Sequence, residues 1–65
     1  MTRTDALKAL REGKPITHQY FSKDEYVEIV DGQLKDEKRH ILPYYEFFNI
    51  RQGGSWEKDW SIFNK

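Results

Sequence analysis

Nine residues of the chain form a set of flat rings and of polar or charged side chains. This combination is typical of nucleotide-binding sites. A ring can stack on a base, Asn, Gln or Asp can hydrogen-bond a base or ribose, and Arg or His can neutralise a phosphate. The composition leaves a second interpretation open, in which Phe21 and Trp60 belong to the core and Arg51 is a surface charge. The candidate ligand-binding residues are His18, Tyr20, Phe21, Asn49, Arg51, Gln52, Trp56, Asp59 and Trp60.

Catalytic and metal-binding patterns are weaker. His18 and His40 stand at no helical i, i+4 spacing that would preset metal ligands, and the chain has no cysteine. No serine lies in a G-x-S-x-G elbow, the arrangement that would activate it as a nucleophile. We therefore expect no catalytic residue, no metal ion and no cofactor. A small enzyme acting on nucleotides, with His18 or His40 as acid or base, stays open as a rival.

Length and charge restrict the class of protein further. The chain has 65 residues and a formal net charge of zero, which predicts one domain, residues 1–65. A neutral domain lacks the electrostatic field that drives non-specific binding to nucleic-acid polymers. No apolar run approaches the ~18 residues of a membrane span, and the first residues lack the apolar segment of a signal peptide. We expect a cytoplasmic protein that binds neither membranes nor nucleic-acid polymers.

The aromatic content indicates self-association. A chain of this size buries only about 60% of the surface that its unfolded form exposes, and no disulfide can supplement the core. Aromatic residues nonetheless make up 15% of the sequence, more than so small a core can hold. The surplus rings predict a subunit interface or a ligand pocket, and hence a homo-oligomer.

Turn residues and periodicity divide the chain into short elements. A helix is expected to begin with Thr4 or Asp5 as its cap, or with Thr2 as an earlier alternative, and to end at Gly13. Asp31-Gly32 favours the tight type I′ turn of a hairpin. Alternating, β-branched or aromatic segments predict strands. These segments are 16–21, 25–30, 33–36 and 59–63.

A second, short helix is predicted over residues 44–51. Its Tyr44, Phe47 and Phe48 form one stripe and Tyr45 lies off it, so part of this helix is expected to meet another subunit. The order α-β-β-β-α-β then favours the α+β class, with a small antiparallel sheet, an N-terminal helix and a short second helix.

Three segments in sequence order resemble motifs of a known family of phage proteins. The first is 5–14, reading DALKALREGK, the second is Ile16-Thr17-His18 with an aromatic residue at Phe21, and the third is 59–62, reading DWSI. The chain thereby resembles the second type of Thoeris anti-defence (Tad) sponge, whose members open on A-L-x-x-L-x-x-G-K and close on D-W-x-I. The resemblance spans nearly the whole chain. Phe21 stands where many members have Trp, and His18 where a basic residue is common.

The resemblance implies a homo-oligomer, usually a tetramer, that sequesters cyclic nucleotide immune signals without cleaving them. Known signals are glycocyclic ADP-ribose, made by TIR proteins, and for some members cyclic dinucleotides at a separate site. Such a sponge would inhibit Thoeris defence inside the infected bacterial cell and, where it also binds cyclic dinucleotides, CBASS defence. Candidates for the second site, or else plain interface anchors, are Tyr20, Tyr26, Tyr44 and Tyr45, with Lys23, Arg39 or Arg51 near the phosphates.

A protein–protein inhibitor of a host factor is the other class that the sequence allows. The aromatic residues from Tyr44 to Phe48 would then form an exposed hot-spot patch. The two functions differ in what is bound, a small cyclic nucleotide or a host protein.

Overall fold

The order of helices and strands agrees with the predicted α+β class, and the sheet has one strand more than predicted. The computed structural model describes all residues, 1–65. All strand pairs are antiparallel, and the strand order in the single sheet is β4-β3-β2-β1-β5. The elements are α1 (Arg3–Arg11), β1 (Ile16–His18), β2 (Val27–Val30), β3 (Gln33–Asp36), β4 (Ile41–Leu42), α2 (Tyr44–Asn49), a 3₁₀ helix (Gly54–Glu57) and β5 (Trp60–Ile62).

Helix α1 uses the earlier of the two predicted starts. Thr2 is its N-cap, and the Oγ1 atom of Thr2 accepts a hydrogen bond from the Asp5 backbone N–H at 3.1 Å. The prediction of a cap at Thr4 or Asp5 is therefore wrong, because Thr2 already satisfies a free N–H of the first turn. At the other end, Gly13 adopts φ 90°, which ends the helix without the strain that a side chain would bring.

The hairpin between β2 and β3 confirms the clearest local prediction. Asp31 and Gly32 both have positive φ, 54° and 77°, as a type I′ turn requires. The turn sets the register, which pairs Ile29 with Leu34. Both side chains therefore point to the same face of the sheet, where Leu34 is part of the buried core and Ile29 packs against that core.

Other boundaries differ from the sequence expectation for local reasons. Strand β1 ends at His18 and does not run on to Phe21, because the N–H groups of Tyr20 and Phe21 turn back to the ring and carbonyl of His18. Helix α2 ends at Asn49, two residues early. Strand β4 and the 3₁₀ helix were not predicted, because two and four residues are too few for a periodic signal.

The core lies between one face of the sheet and the helices. It consists of eight buried apolar side chains, to which Leu7, Ile29 and Leu42 add partly buried surface. The exposed area of the chain is 4445 Å², close to the ~4,400 Å² that surface scaling gives for a folded monomer of this mass. The single chain is therefore fully collapsed. The eight are Ala6, Ala9, Leu10, Ile16, Val27, Leu34, Phe48 and Trp60.

Both edges of the sheet are protected against further strand pairing. On β5, the Met1 N–H donates to the Trp60 carbonyl at 2.7 Å and the Trp60 N–H donates to the Met1 carbonyl at 3.2 Å. The opposite edge, β4, has two residues and is followed by Pro43. Short, occupied or proline-flanked edges resist pairing with another chain. Neither helix has the length and apolar character needed to cross a membrane.

Candidate functional site

His18 is the centre of an aromatic cluster at the end of β1. Its ring centroid lies 4.3 Å from that of Trp56, 4.8 Å from that of Trp60 and 5.1 Å from that of Tyr20. Phe21 completes the cluster, with ring centroids 6.2 Å from both His18 and Trp56. The sheet explains part of this assembly, since His18 and Trp60 are cross-strand partners on β1 and β5 and share one face.

Both ring nitrogens of His18 are committed to backbone groups. Nδ1 accepts from the Tyr20 N–H at 3.0 Å, so the proton of the neutral ring is assigned to Nε2. Nε2 lies 2.8 Å from the Lys58 carbonyl and 3.0 Å from the Ser55 carbonyl, and donates to them. His18 therefore ties the end of β1 to the 3₁₀ helix, and with 3% of its surface exposed it presents neither nitrogen to solvent.

Trp60 lies in the core, the alternative that the sequence left open. It is 1% exposed, and its indole N–H donates to the Trp56 carbonyl at 2.7 Å. Trp56 itself is only half-buried and packs edge to face with Tyr20, at 5.1 Å between centroids. Trp60 is thus a core residue, whereas Trp56 lies partly at the surface.

An open depression of about 510 Å³ borders this cluster. It lies where β1 leaves the sheet and β5 enters it, and its volume is within the range of small-molecule sites. Phe21 and Trp60 supply the aromatic wall. The polar side chains around them are Thr17, His18, Gln19, Ser22, Lys23, Asp59 and Ser61.

Two charges of opposite sign, Lys23 and Asp59, line the depression. Asp59 adopts φ 67°, an uncommon conformation for a side-chain-bearing residue. Its carbonyl accepts from the Gln19 N–H at 3.1 Å, and this bond holds the turn into β5. The exposed carboxylate of Asp59 is therefore carried by a fixed backbone. Such a pair can bind a ligand that has both an anionic group and hydrogen-bond donors.

The predicted ligand-binding residues are brought together only in part. His18, Phe21, Asp59 and Trp60 line the depression, while Tyr20, Arg51 and Trp56 do not line it. Asn49 and Gln52 are exposed and lie outside it. Gln19 and Ser22 were missed by sequence reasoning, because a turn segment gives no signal of which way its side chains face. Thr17 of β1 and Ser61 of β5 were also missed, although both lie on strands.

Arg51 lies against the outer rings. Its guanidinium carbon is 3.8 Å from the Phe47 ring centroid and 5.8 Å from that of Trp56. Its Nη1 donates to the Phe47 carbonyl at 3.0 Å. Burial lowers the pKa of the Arg51 guanidinium, and the nearby charge of Glu25 opposes that effect. The group stays a cation, partly removed from water.

A second, smaller depression is lined only by polar and charged side chains. Its volume is about 420 Å³, and Lys23 stands between it and the first depression. Three acidic and two basic residues share its wall, so it carries little net charge. No three His, Cys, Asp or Glu side chains of the chain lie together as a metal site.

The fold and the site together define a small α+β domain with an aromatic cluster beside an open polar depression. Compared with family models, curated proteins and solved structures, the chain gives no match. A function therefore has to be argued from the site and from the motif resemblance.

Proposed function

We propose that the chain is a non-catalytic binding protein that sequesters a cyclic ADP-ribose-type signal, as a phage anti-defence sponge in the cytoplasm of an infected bacterium. The observation that carries this proposal is the depression, which Phe21, Lys23 and Asp59 line together. Phe21 can stack on a base, Lys23 can meet a phosphate, and Asp59 can accept from ribose hydroxyls or a base amino group. The motif resemblance points to the same ligand class.

Two observations favour binding over turnover. His18 uses both ring nitrogens in backbone hydrogen bonds. His40, whose Nδ1 lies 3.3 Å from Oδ2 of Asp36, lines neither depression. A general acid or base needs a ring nitrogen directed at the substrate. Retention of an intact ligand requires only affinity, and nanomolar binding corresponds to roughly −12 kcal/mol.

The proposed sponge is a homo-oligomer, with a tetramer as the expected form. Tyr45 is 80% exposed and Ile50 is 74% exposed, on or next to α2. Ile41 on β4 is also exposed. Large apolar side chains in water favour burial against a partner. Since both sheet edges are protected, self-association would use these side chains and not added strands.

Calorimetric titration with a panel of cyclic ADP-ribose isomers and cyclic dinucleotides tests the proposal. The wild-type chain should bind a cyclic ADP-ribose-type ligand, and Asp59→Asn should weaken that binding at least tenfold. Asn tolerates the positive φ of this position, so the substitution removes the charge and keeps the backbone. Asp24→Asn is the matched control, since Asp24 does not line this depression. Absence of binding by the wild type would refute the proposal.

The same titration addresses a cyclic dinucleotide as second signal. If the two signals occupy independent sites, saturation with one leaves the affinity for the other unchanged, because coupling is reciprocal. Competition would place both in one site.

A protein–protein inhibitor remains the second candidate, and the exposure of Tyr45 favours it. Exposed aromatic residues of this kind anchor partner proteins as well as identical subunits. Substitution Tyr45→Ser separates the two candidates: ligand binding by the monomer persists under the sponge proposal, whereas inhibition of a host protein would be lost.

A further inference from the structure

The peptide unit between Asp31 and Gly32, at the tip of the β2–β3 hairpin, makes no hydrogen bond to the rest of the chain. Neither the Asp31 carbonyl nor the Gly32 N–H has a partner, and the Asp31 carboxylate takes part in no ion pair. Both residues are exposed. No atom lies within 4 Å of the point where a Cβ on Gly32 would stand. This peptide unit can therefore rotate without breaking a contact.

Asp31 is the one Asp or Asn of the chain that a glycine follows. The backbone N of the residue after an Asp can attack the side-chain carboxyl carbon and close a five-membered succinimide ring. A side chain on that following residue crowds the attack, and glycine has none. At Asp24, by contrast, the attacking nitrogen would belong to Glu25, which carries a long side chain. Sequence and exposure thus single out Asp31 for this reaction.

One of the two backbone torsion angles that the ring needs is already set in the turn. Ring closure brings the Gly32 N into line with Cβ of Asp31, which in an L-residue means ψ of about −120°, as at the first central residue of a type II′ turn. That residue also has φ of about +60°, and Asp31 has φ 54°. Types I′ and II′ both connect two-residue hairpins. A flip of the central peptide unit therefore gives the reactive geometry while β2 and β3 stay paired.

We propose that Asp31-Gly32 is a site of spontaneous covalent modification, at which the folded hairpin cyclises to a succinimide and then opens to isoaspartate. In the first step the Gly32 N bonds to Cγ of Asp31, and the side-chain hydroxyl leaves as water together with the amide proton. In the second step one water adds to a ring carbonyl. Where it adds to the original main-chain carbonyl, the bond from that carbon to the Gly32 N breaks, and the main chain then runs through Cβ and Cγ of Asp31.

Isoaspartate lengthens the loop that sets the register of the hairpin. The two-residue loop pairs Val30 with Gln33 and, one step further along the strands, Ile29 with Leu34. Leu34 is a buried core residue. A loop with an added backbone atom cannot keep the type I′ turn that matches the twist of the strands. The succinimide therefore leaves the hairpin intact, whereas isoaspartate loosens it next to the core.

Two substitutions of Asp31 keep the turn and change the chemistry. Asp31→Gly gives another sequence that favours a type I′ turn, but it has no carboxyl group, so no product should form. Asp31→Asn also favours this turn and cyclises with loss of ammonia. Its reaction should be at least tenfold faster than that of the wild type, because a neutral amide is attacked more readily than a carboxylate. The isoaspartate fraction of aged wild type should unfold at a lower temperature than the fresh chain, whereas ageing should leave the thermal midpoint of Asp31→Gly unchanged.

Ageing of the purified chain in neutral buffer, followed by tryptic digestion and mass spectrometry, tests the proposal. Trypsin releases residues 24–35 as one peptide, which contains both Asp24 and Asp31. The succinimide is recognised by the loss of one water, and isoaspartate by a carboxyl methyltransferase specific for it. Modification at Asp31 should exceed that at Asp24 at least tenfold, and the folded chain should react at no less than a tenth of the rate of a synthetic peptide of residues 24–35. Equal modification at Asp24, or a folded chain that stays intact while the peptide reacts, would overturn the proposal.

Discussion

His18 and Tyr20 are joined by a hydrogen bond from a backbone amide to a ring nitrogen, 3.0 Å from the Tyr20 N to His18 Nδ1. This bond turns the chain out of β1, and the other nitrogen of the same ring holds the carbonyls of Ser55 and Lys58. One imidazole therefore fixes both segments that border the depression, the one after β1 and the one before β5. The buried ring of His18 thus positions both segments that border the depression.

Two substitutions at His18 should distinguish the contribution of its Nε2 hydrogen bonds from that of its Nδ1 hydrogen bond. His18→Gln retains a donor toward Ser55 and Lys58, whereas His18→Asn retains an acceptor toward Tyr20. Each should lower the free energy of unfolding by about 1–3 kcal/mol, because one buried bond and part of the ring packing are lost. Urea unfolding gives these values. The nitrogen spectrum of the wild-type ring should show protonated Nε2 and bare Nδ1; the opposite tautomer would contradict the account.

Arg3 should stabilise the domain by its hydrogen bonds to carbonyl groups at the C-terminal end of α2. Arg3→Gln removes the charged donors to the Phe48 and Arg51 carbonyls and should lower the free energy of unfolding by about 1–2 kcal/mol. Lys8→Gln, exposed on the same helix, is the control and should change it by less than ~0.5 kcal/mol. Equal urea midpoints for the two variants would show that the cap contributes nothing.

The Asp36 carboxylate should make the free energy of unfolding depend on pH in the acid range. Burial alone raises the pKa of Asp36, but hydrogen bonds from the His40 and Lys38 N–H groups and the charge of His40 outweigh it, so the pKa is lowered in the folded chain. Stability from this carboxylate is therefore present above its unfolded pKa of about 3.9 and is lost as pH falls through the lower, folded value.

The measurement is the thermal midpoint of wild type and Asp36→Asn from pH 7 to pH 2. Asn can still accept from both N–H groups, so the difference between the two proteins reports the charge. At pH 7 the variant should be less stable, by about 1 kcal/mol, and the gap should close in acid. If the stability difference between wild type and Asp36→Asn stayed constant with pH, the destabilisation would come from packing and not from the charge.

Light scattering should show an oligomer. The proposed tetramer has four times the 7.9 kDa mass of one chain, and Tyr45→Ser should shift the population toward the monomer by removing an exposed ring. Since Tyr45 is 80% exposed in the single chain, the fold should survive the change. A monodisperse 7.9 kDa species of the wild type at micromolar concentration would exclude the oligomer.

The fold was largely predictable because its signals are local. Asp31-Gly32 specifies its own turn, the stripe of Tyr44, Phe47 and Phe48 meets the core, and Tyr45 faces away as the helical spacing predicts. The strand β4 could not be predicted, since it has only two residues and is defined by its pairing with β3. Local chemistry thus determines most elements, and tertiary pairing determines the rest.

The site was predictable in composition but not in arrangement. The sequence placed Trp60 among the ligand-binding candidates as a ring that can stack on a base, and His18 as a group that can neutralise a phosphate. Both rings also carry polar nitrogen atoms. In the fold those atoms bond to carbonyls of the 3₁₀ segment, contacts between residues about 40 positions apart or joined by a turn of unknown direction. Gln19 and Ser22 were missed for the same reason. No periodic pattern indicates which side chains of an irregular segment face a depression.

Recovery of ligand from the protein is the most direct test of sequestration. The purified chain is mixed with a cyclic ADP-ribose-type signal, separated from free ligand, denatured by heat, and the released material is analysed by chromatography. The account predicts that the native protein retains the signal and that heat releases it chemically unchanged. Release of an altered product would identify an enzyme, and failure of the native protein to retain any signal would contradict the sponge function.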